Sequence, residues 1–220
     1  MSRIALGLVG YYQFIRGYPL GPELKQRLDD ISWRHQVDIK EMNWGPVAIV
    51  QEFQANKISY DRVVLVAAVQ RGGEVGSVTC RQWVGGEMKV MEVQNRIFEA
   101  VTGIISVDNL LVIGAHFKIW PQEVIVIEVE LPDDAIGNMV LTELEIHRDS
   151  GEMTAIGDHP ITPGAQKIVD RIAAYTQLAV DRGVEGMSGL VPLSVDDLNP
   201  LAAVCHNQLI KDCGLTTPVH

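Results

Sequence analysis

Across 220 residues the chain carries 28 acidic against 18 basic side chains, a formal charge of −10, and 47% of it is apolar. That is apolar matter enough for one buried core with room for a short appendage, and an acidic balance without any basic run excludes a surface that tracks a phosphate backbone or an anionic membrane. No stretch approaches the ~18 apolar residues of a bilayer span, and Cys80, Cys205 and Cys213 are too few and scattered for a secreted disulfide framework, so no nucleic acid and no membrane is expected as a partner and the cytoplasm is the expected compartment.

Residues 3–9 open the chain as an apolar strand, continuing without a small-residue cleavage pattern and so reading as core, not leader. Tyr11, Tyr12, Phe14, Arg16 and Tyr18 follow in an aromatic and basic loop. A helix is predicted over 21–33, with Pro22 in its first turn where no backbone donor is lost, then a strand over 38–42 and a second helix over 46–56 opened by Pro46. The run 62–69 (RVVLVAAV) has the Val content of a strand covered on both faces. Gly72, Gly73, Glu74 and Gly76 then form a turn that lets the backbone bend tightly or approach a partner closely.

Residues 79–93 read as an extended excursion, a hairpin turning at Gly85-Gly86 with a strand over 89–93 as its second arm. A helix is expected over 108–117, a Val- and Ile-rich strand over 123–130, and a helix over 163–180 entered through Thr162-Pro163. In that last helix Ile168, Ile172, Tyr175 and Ala179 recur at three or four residues and would face the sheet, with Lys167, Asp170 and Arg171 outward. Residues 182–190 are glycine-rich and read as a linker; Ser194 to Asp197 then cap a short helix over 198–213 stopped by Gly214. The alternation predicts an α/β fold, a three-layer sandwich with a twisted, mostly parallel sheet of about five strands over residues 1–181, and a linker with a C-terminal helical appendage over 182–220.

Two clusters could carry metal chemistry. Cys205, His206, Cys213 and His220 are all zinc-capable, yet their spacing matches no compact finger and adjacent Cys and His leave a helix in different directions; buried thiols and a tail histidine are the plainer reading. His147, Asp149, Glu152, Asp158 and His159 could assemble an acid-base or metal site and so support unrelated enzyme chemistry, against a solvated turn in which Asp158 bonds its own backbone. Gly7-x-x-Gly10 lacks the third glycine of a dinucleotide loop, and neither a Walker lysine loop nor a Gly-x-Ser-x-Gly elbow is present. No cofactor is expected.

The segment 60–78, YDRVVLVAAVQRGGEVGSV, with the strand 3–10 before it and the loop 16–23 (RGYPLGPE), resembles the maturation endopeptidases of nickel-iron hydrogenases over about residues 3–180. In that family an acid at the strand end binds nickel carried by the substrate. The resemblance puts that position on Ala67, a second metal-binding acid on Tyr18 beside Gly17, and the third ligand, a histidine, on Gly103. Ala and Gly have no donor atoms, and a tyrosine hydroxyl with a pKa near 10 is a poor ligand at neutral pH. The resemblance therefore implies the family's fold without its metal-reading site: a non-catalytic relative with no metal ligands that binds a protein partner, a hydrogenase-type large subunit or another maturation factor. Tyr12, Arg16, Tyr18, Gln70 and Arg71 are the expected contacts, around a cleft formed by Tyr18, Ala67, Gln70, Arg71 and Gly103. Two alternatives stay open. The rings could simply fill a vacated polar pocket, or the chain could be an active metal-directed endopeptidase that removes a C-terminal extension from a large-subunit precursor, since the substrate's own metal directs that cleavage and no nucleophile triad is needed.

Overall fold

The two Val- and Ile-rich runs become the centre of the sheet because they are the segments that can be covered on both faces. The structure, a computed structural model, describes residues 1–13, 17–56, 59–132, 135–150 and 161–201. Its sheet contains β1 (Arg3–Val9), β2 (Gln36–Met42), β3 (Arg62–Val69), β4 (Val78–Gly85), β5 (Glu123–Glu130) and β6 (Val191–Ser194), in the order β2-β1-β3-β5-β4-β6. The first four in that order run parallel; β4 is antiparallel to β5, and β6 pairs parallel with β4.

Side chains of β3 alternate between two cores, as strand geometry requires. Val64 and Val66 join Leu24 and Leu28 of α1 (Pro22–Asp29) and Val169, Ile172 and Ala179 of α6 (Pro163–Gly186). Val63, Leu65, Ala67 and Val69 face the other way, with Ile49 of α2 (Pro46–Ala55) and Leu110 and Leu111 of α4 (Val107–His116). The helices α3 (Val90–Val101) and α5 (Ala135–Ser150) complete the two outer layers. The fold is thus a three-layer α/β sandwich with a mostly parallel sheet. Helix entries follow local chemistry: Pro22 and Pro46 lie in first turns, Thr162 Oγ1 accepts from Ala165 N at 3.2 Å, and Ser106 Oγ accepts from Asp108 N at 3.1 Å.

Three segments differ from their expected form. The predicted hairpin at 79–93 is a single strand, β4, followed by a helix: Gly85 and Gly86 adopt positive φ of 76° and 149°, which ends the strand, and Val93, Ile97 and Ala100 then recur at helical spacing on the inward face of α3. The expected linker from 182 is helical to Gly186, with a break at Gly183 (φ 67°). That break has a packing cause, since a side chain on Gly183 would collide with Arg62, whose guanidinium caps the helix by donating to the Ala179 and Val180 carbonyls at 3.2 and 2.7 Å and pairs with Glu123 at 2.6 Å. Finally, β6 raises the strand count among the described residues to six and a single 3-10 turn, Val195–Asp197, follows it, capped by Ser194. Residues 191–194 thus extend the sheet, past the boundary expected at 181. The expected helix over 198–213 and the cluster Cys205, His206, Cys213 and His220 lie outside the described residues, as do 151–160 and hence Glu152, Asp158 and His159.

Candidate functional site

From β1 the chain crosses to β2 on one side, while β3 lies on the other, so the carboxyl ends of β1 and β3 diverge at a topological switch point. Crevices for ligands form at such points. Here two adjoining hollows of about 440 and 390 Å³ open there, sharing Tyr18, Ala68, Ile105 and Ile136 as walls. The larger continues along Gln70, Ser106, Asp108 and Asn199, the smaller along Gly10, Tyr12 and Asn43.

Tyr18 stands where the two hollows meet, 3% exposed, its ring edge-on to Tyr12 with centroids 6.5 Å apart. Burial pushes its hydroxyl up to about 12, so near neutral pH it carries a proton and not a charge. Ala67, 1% exposed, points into the core shared with α2 and α4; strand alternation gives the cleft its neighbour Ala68 instead. Either register leaves a methyl group where a donor would be needed. Gly103 is not in the wall. It sits at positive φ (94°) in the turn that ends α3, and Ile105 and Ser106 occupy the position expected of it. Gln70 does line the cleft, donating to the Pro132 carbonyl at 3.2 Å and accepting at its own carbonyl from Asn199 Nδ2 at 3.1 Å. Arg16 lies outside the described residues.

Arg71 turns away from the cleft. Its side chain, 13% exposed, donates to Glu128 Oε1 at 2.6 Å, to Asp108 Oδ1 at 2.7 Å and to the Asp197 carbonyl at 3.2 Å. Desolvation works to lower its pKa, but the bonds to Glu128 and the charge of Asp108 outweigh it and raise the value, so the guanidinium stays cationic. Arg81 approaches the same Glu128 carboxylate at 3.4 Å. In the glycine turn beside it, the backbone N–H groups of Arg71 and Gly72 both donate to Glu130 Oε1 at 2.8 Å, a nest filled by the chain's own carboxylate. The turn allows a close backbone approach, and the group that approaches is Glu130.

Among the described residues of the cleft wall, Asp108 is the one carboxylate, and it is committed. Besides Arg71 it accepts from Asn199 N at 2.8 Å, and it is 3% exposed. No three His, Cys, Asp or Glu among the described residues converge as a metal site would require. Sequence reasoning missed Asp108, Asn199, Glu128 and Glu130. The two glutamates left a signal: charges at alternate positions inside IVIEVE, a run otherwise built of Val and Ile, demand buried partners.

No family model and no curated protein matches the sequence. Solved structures do resemble the fold. The solution structure of endopeptidase HycI from Escherichia coli is 16% identical, covering 89% of this chain and 99% of its own, with a TM-score of 0.45. The [NiFe] hydrogenase maturation protease HycI from Thermococcus kodakarensis KOD1 is 14% identical over 80% of this chain and 90% of its own, TM-score 0.43. A hydrogenase 2 maturation peptidase from Thaumarchaeota archaeon SCGC_AB-539-E09 is 14% identical over 69% and 99%, TM-score 0.33. Along most of its length this chain is similar to hydrogenase maturation endopeptidases.

Proposed function

We propose that this chain is a divergent hydrogenase maturation protease-like protein, a cytoplasmic pseudoenzyme that binds a protein partner during the maturation or assembly of a hydrogenase-type metalloenzyme and does not cleave it. The observation that carries this reading is the chemistry of the cleft wall. Ala68 and a protonated Tyr18 supply no ligand for a borderline divalent metal, and Asp108, the one carboxylate among the described residues of the wall, is engaged by Arg71 and by a backbone N–H. What the wall offers is suited to polypeptide: Tyr12, Ile105 and Ile136 can cover apolar side chains, while the neutral amides of Gln70, Asn199 and Asn43 can meet backbone N–H and C=O groups. The partner that fits this reading is a hydrogenase-type large subunit or another maturation factor.

The test mixes the purified chain with a nickel-loaded large-subunit precursor and follows co-elution and the intact mass of the precursor. The expected result is a complex with the precursor at full length, weakened by more than about 1 kcal/mol in Tyr12→Ala. Nickel-dependent loss of a C-terminal peptide would overturn the reading, as would a stoichiometric nickel site on the chain alone at micromolar or tighter affinity.

A further inference from the structure

Helix α3 buries two charged side chains on the same inward face as the apolar Val93 and Ala100. Of its three charged residues Glu92, in the first turn, is half-buried, while Arg96 and Glu99 are each 5% exposed: Arg96 donates to Asn109 Oδ1 at 3.2 Å and to the Asn199 carbonyl at 2.7 Å, and Asn109 Nδ2 donates to Glu99 Oε2 at 3.3 Å. With those charges turned inward, the outer face carries Val90, Met91, Phe98 and Val101, each 66% or more exposed. An ordinary surface helix does the reverse. From residue 90 to 105 every exposed position is uncharged, in a chain whose formal charge is −10.

The spacing of that face is regular. Met91 and Phe98 lie seven residues apart, as do Gln94 and Val101, so the four occupy the a and d positions of a two-helix seam. Ile104 and Ile105 extend the apolar surface beyond the helix end, and exposed Trp44 flanks it, its neighbour Gly45 being packed against the Ala100 carbonyl.

We infer that this face is the seam of a two-fold symmetric dimer, α3 packing on α3 of a second copy. The heptad spacing and the neutrality of the face fit a second copy as the occupant. A two-fold contact sets each patch against itself, so any net charge on it would meet its own sign; this face has none, and the acidic remainder of the surface is screened over roughly 8 Å at physiological salt. Size also matters. A stable interface takes ~800 Å² from each partner, more than α3 alone, about 18 Å long, can supply, so Trp44, Ile104 and Ile105 belong to the contact. The seam borders the cleft, with which it shares Ile105, and it needs no partner protein.

Sedimentation velocity on the purified chain tests it directly. A dimer is expected at or below about 100 µM, strengthening as salt rises from about 0.05 to 0.5 M because only like charges remain to be screened. Phe98→Glu and Val101→Glu should each weaken it tenfold or more while circular dichroism shows an unchanged fold, since both side chains are exposed; Leu141→Glu, on an exposed part of α5, should leave it intact. A monomer throughout that range would overturn the inference, and so would a dimer indifferent to both α3 variants. A monomer that associates only once residues 202–220 are removed would assign the face to the chain's own C-terminus and overturn it equally.

Discussion

At the carboxyl edge of the sheet the ends of β1 and β3 lie beside the end of β5, and the two regions handle charge in opposite ways. The first opens into a cleft walled by Tyr18, Ala68 and Ile105, with neutral amides for polarity. The second gathers largely buried charges: Arg71 bonds Asp108 and Glu128, Arg81 approaches Glu128 at 3.4 Å, and Glu130 accepts from the backbone N–H groups of Arg71 and Gly72. Burying ionised groups is costly unless each is paired, and here the pairing joins β5, the turn after β3, the start of α4 and the segment after β6. The acids of this sheet edge act as internal ties. They are engaged with one another and with backbone N–H groups, and among the described residues of the cleft wall Asp108 is the one that carries a charge.

The charged side should break hardest. Arg71→Ala leaves Asp108 buried without its cation and Glu128 with Arg81 alone, and removal of one partner from a buried pair costs about 3–5 kcal/mol. Urea unfolding should show the midpoint falling by that equivalent at an unchanged slope. A loss under about 1 kcal/mol would mean that the network is solvated and that the contrast with the cleft is one of shape alone.

On the neutral side the sensitive group is Tyr18. Its folded pKa of about 12 lies above the ordinary value of 10, so the fold binds the phenol proton more tightly than the unfolded chain does. The stability this contributes is complete below pH 10 and is lost as pH rises from 10 to 12, by roughly 2–3 kcal/mol for about two units. Tyr18→Phe has no proton to lose. Unfolding curves of the two proteins between about pH 9 and 12 should therefore diverge, with the variant retaining more stability; parallel curves would show that the hydroxyl reaches water.

How far the sequence reaches depends on the distance over which each feature is decided. Val and Ile runs and the Pro and Thr entries act within a few residues, so β3, β5 and four helices are legible at once. Alternation along β3 decides between Ala67 and Ala68, and one residue of register moves a position from cleft to core. The role of Arg71 is not local, because its partners lie 37 and 57 residues away. Helix α3 misleads for a related reason: its charges are matched by Asn109 and by the Asn199 carbonyl, so a pattern that ought to face water faces inward.

The smallest effect belongs where the two regions meet. Asn199 lines the cleft and is tied to the charged side: its N–H donates to Asp108, its carbonyl accepts from Arg96, and its Nδ2 donates to the Gln70 carbonyl at 3.1 Å. Asn199→Ala removes the last of these bonds and keeps both backbone ones, so the expected loss is about 1 kcal/mol, the net value of one exposed neutral hydrogen bond. The variant should also protect the amides of β6 less well in hydrogen exchange, because the Gln70 contact is one of the ties holding the segment after that strand to the turn after β3. Unchanged protection would place the whole anchorage of that segment on the backbone bonds to Asp108 and Arg96, making the charged region alone responsible for closing that end of the cleft.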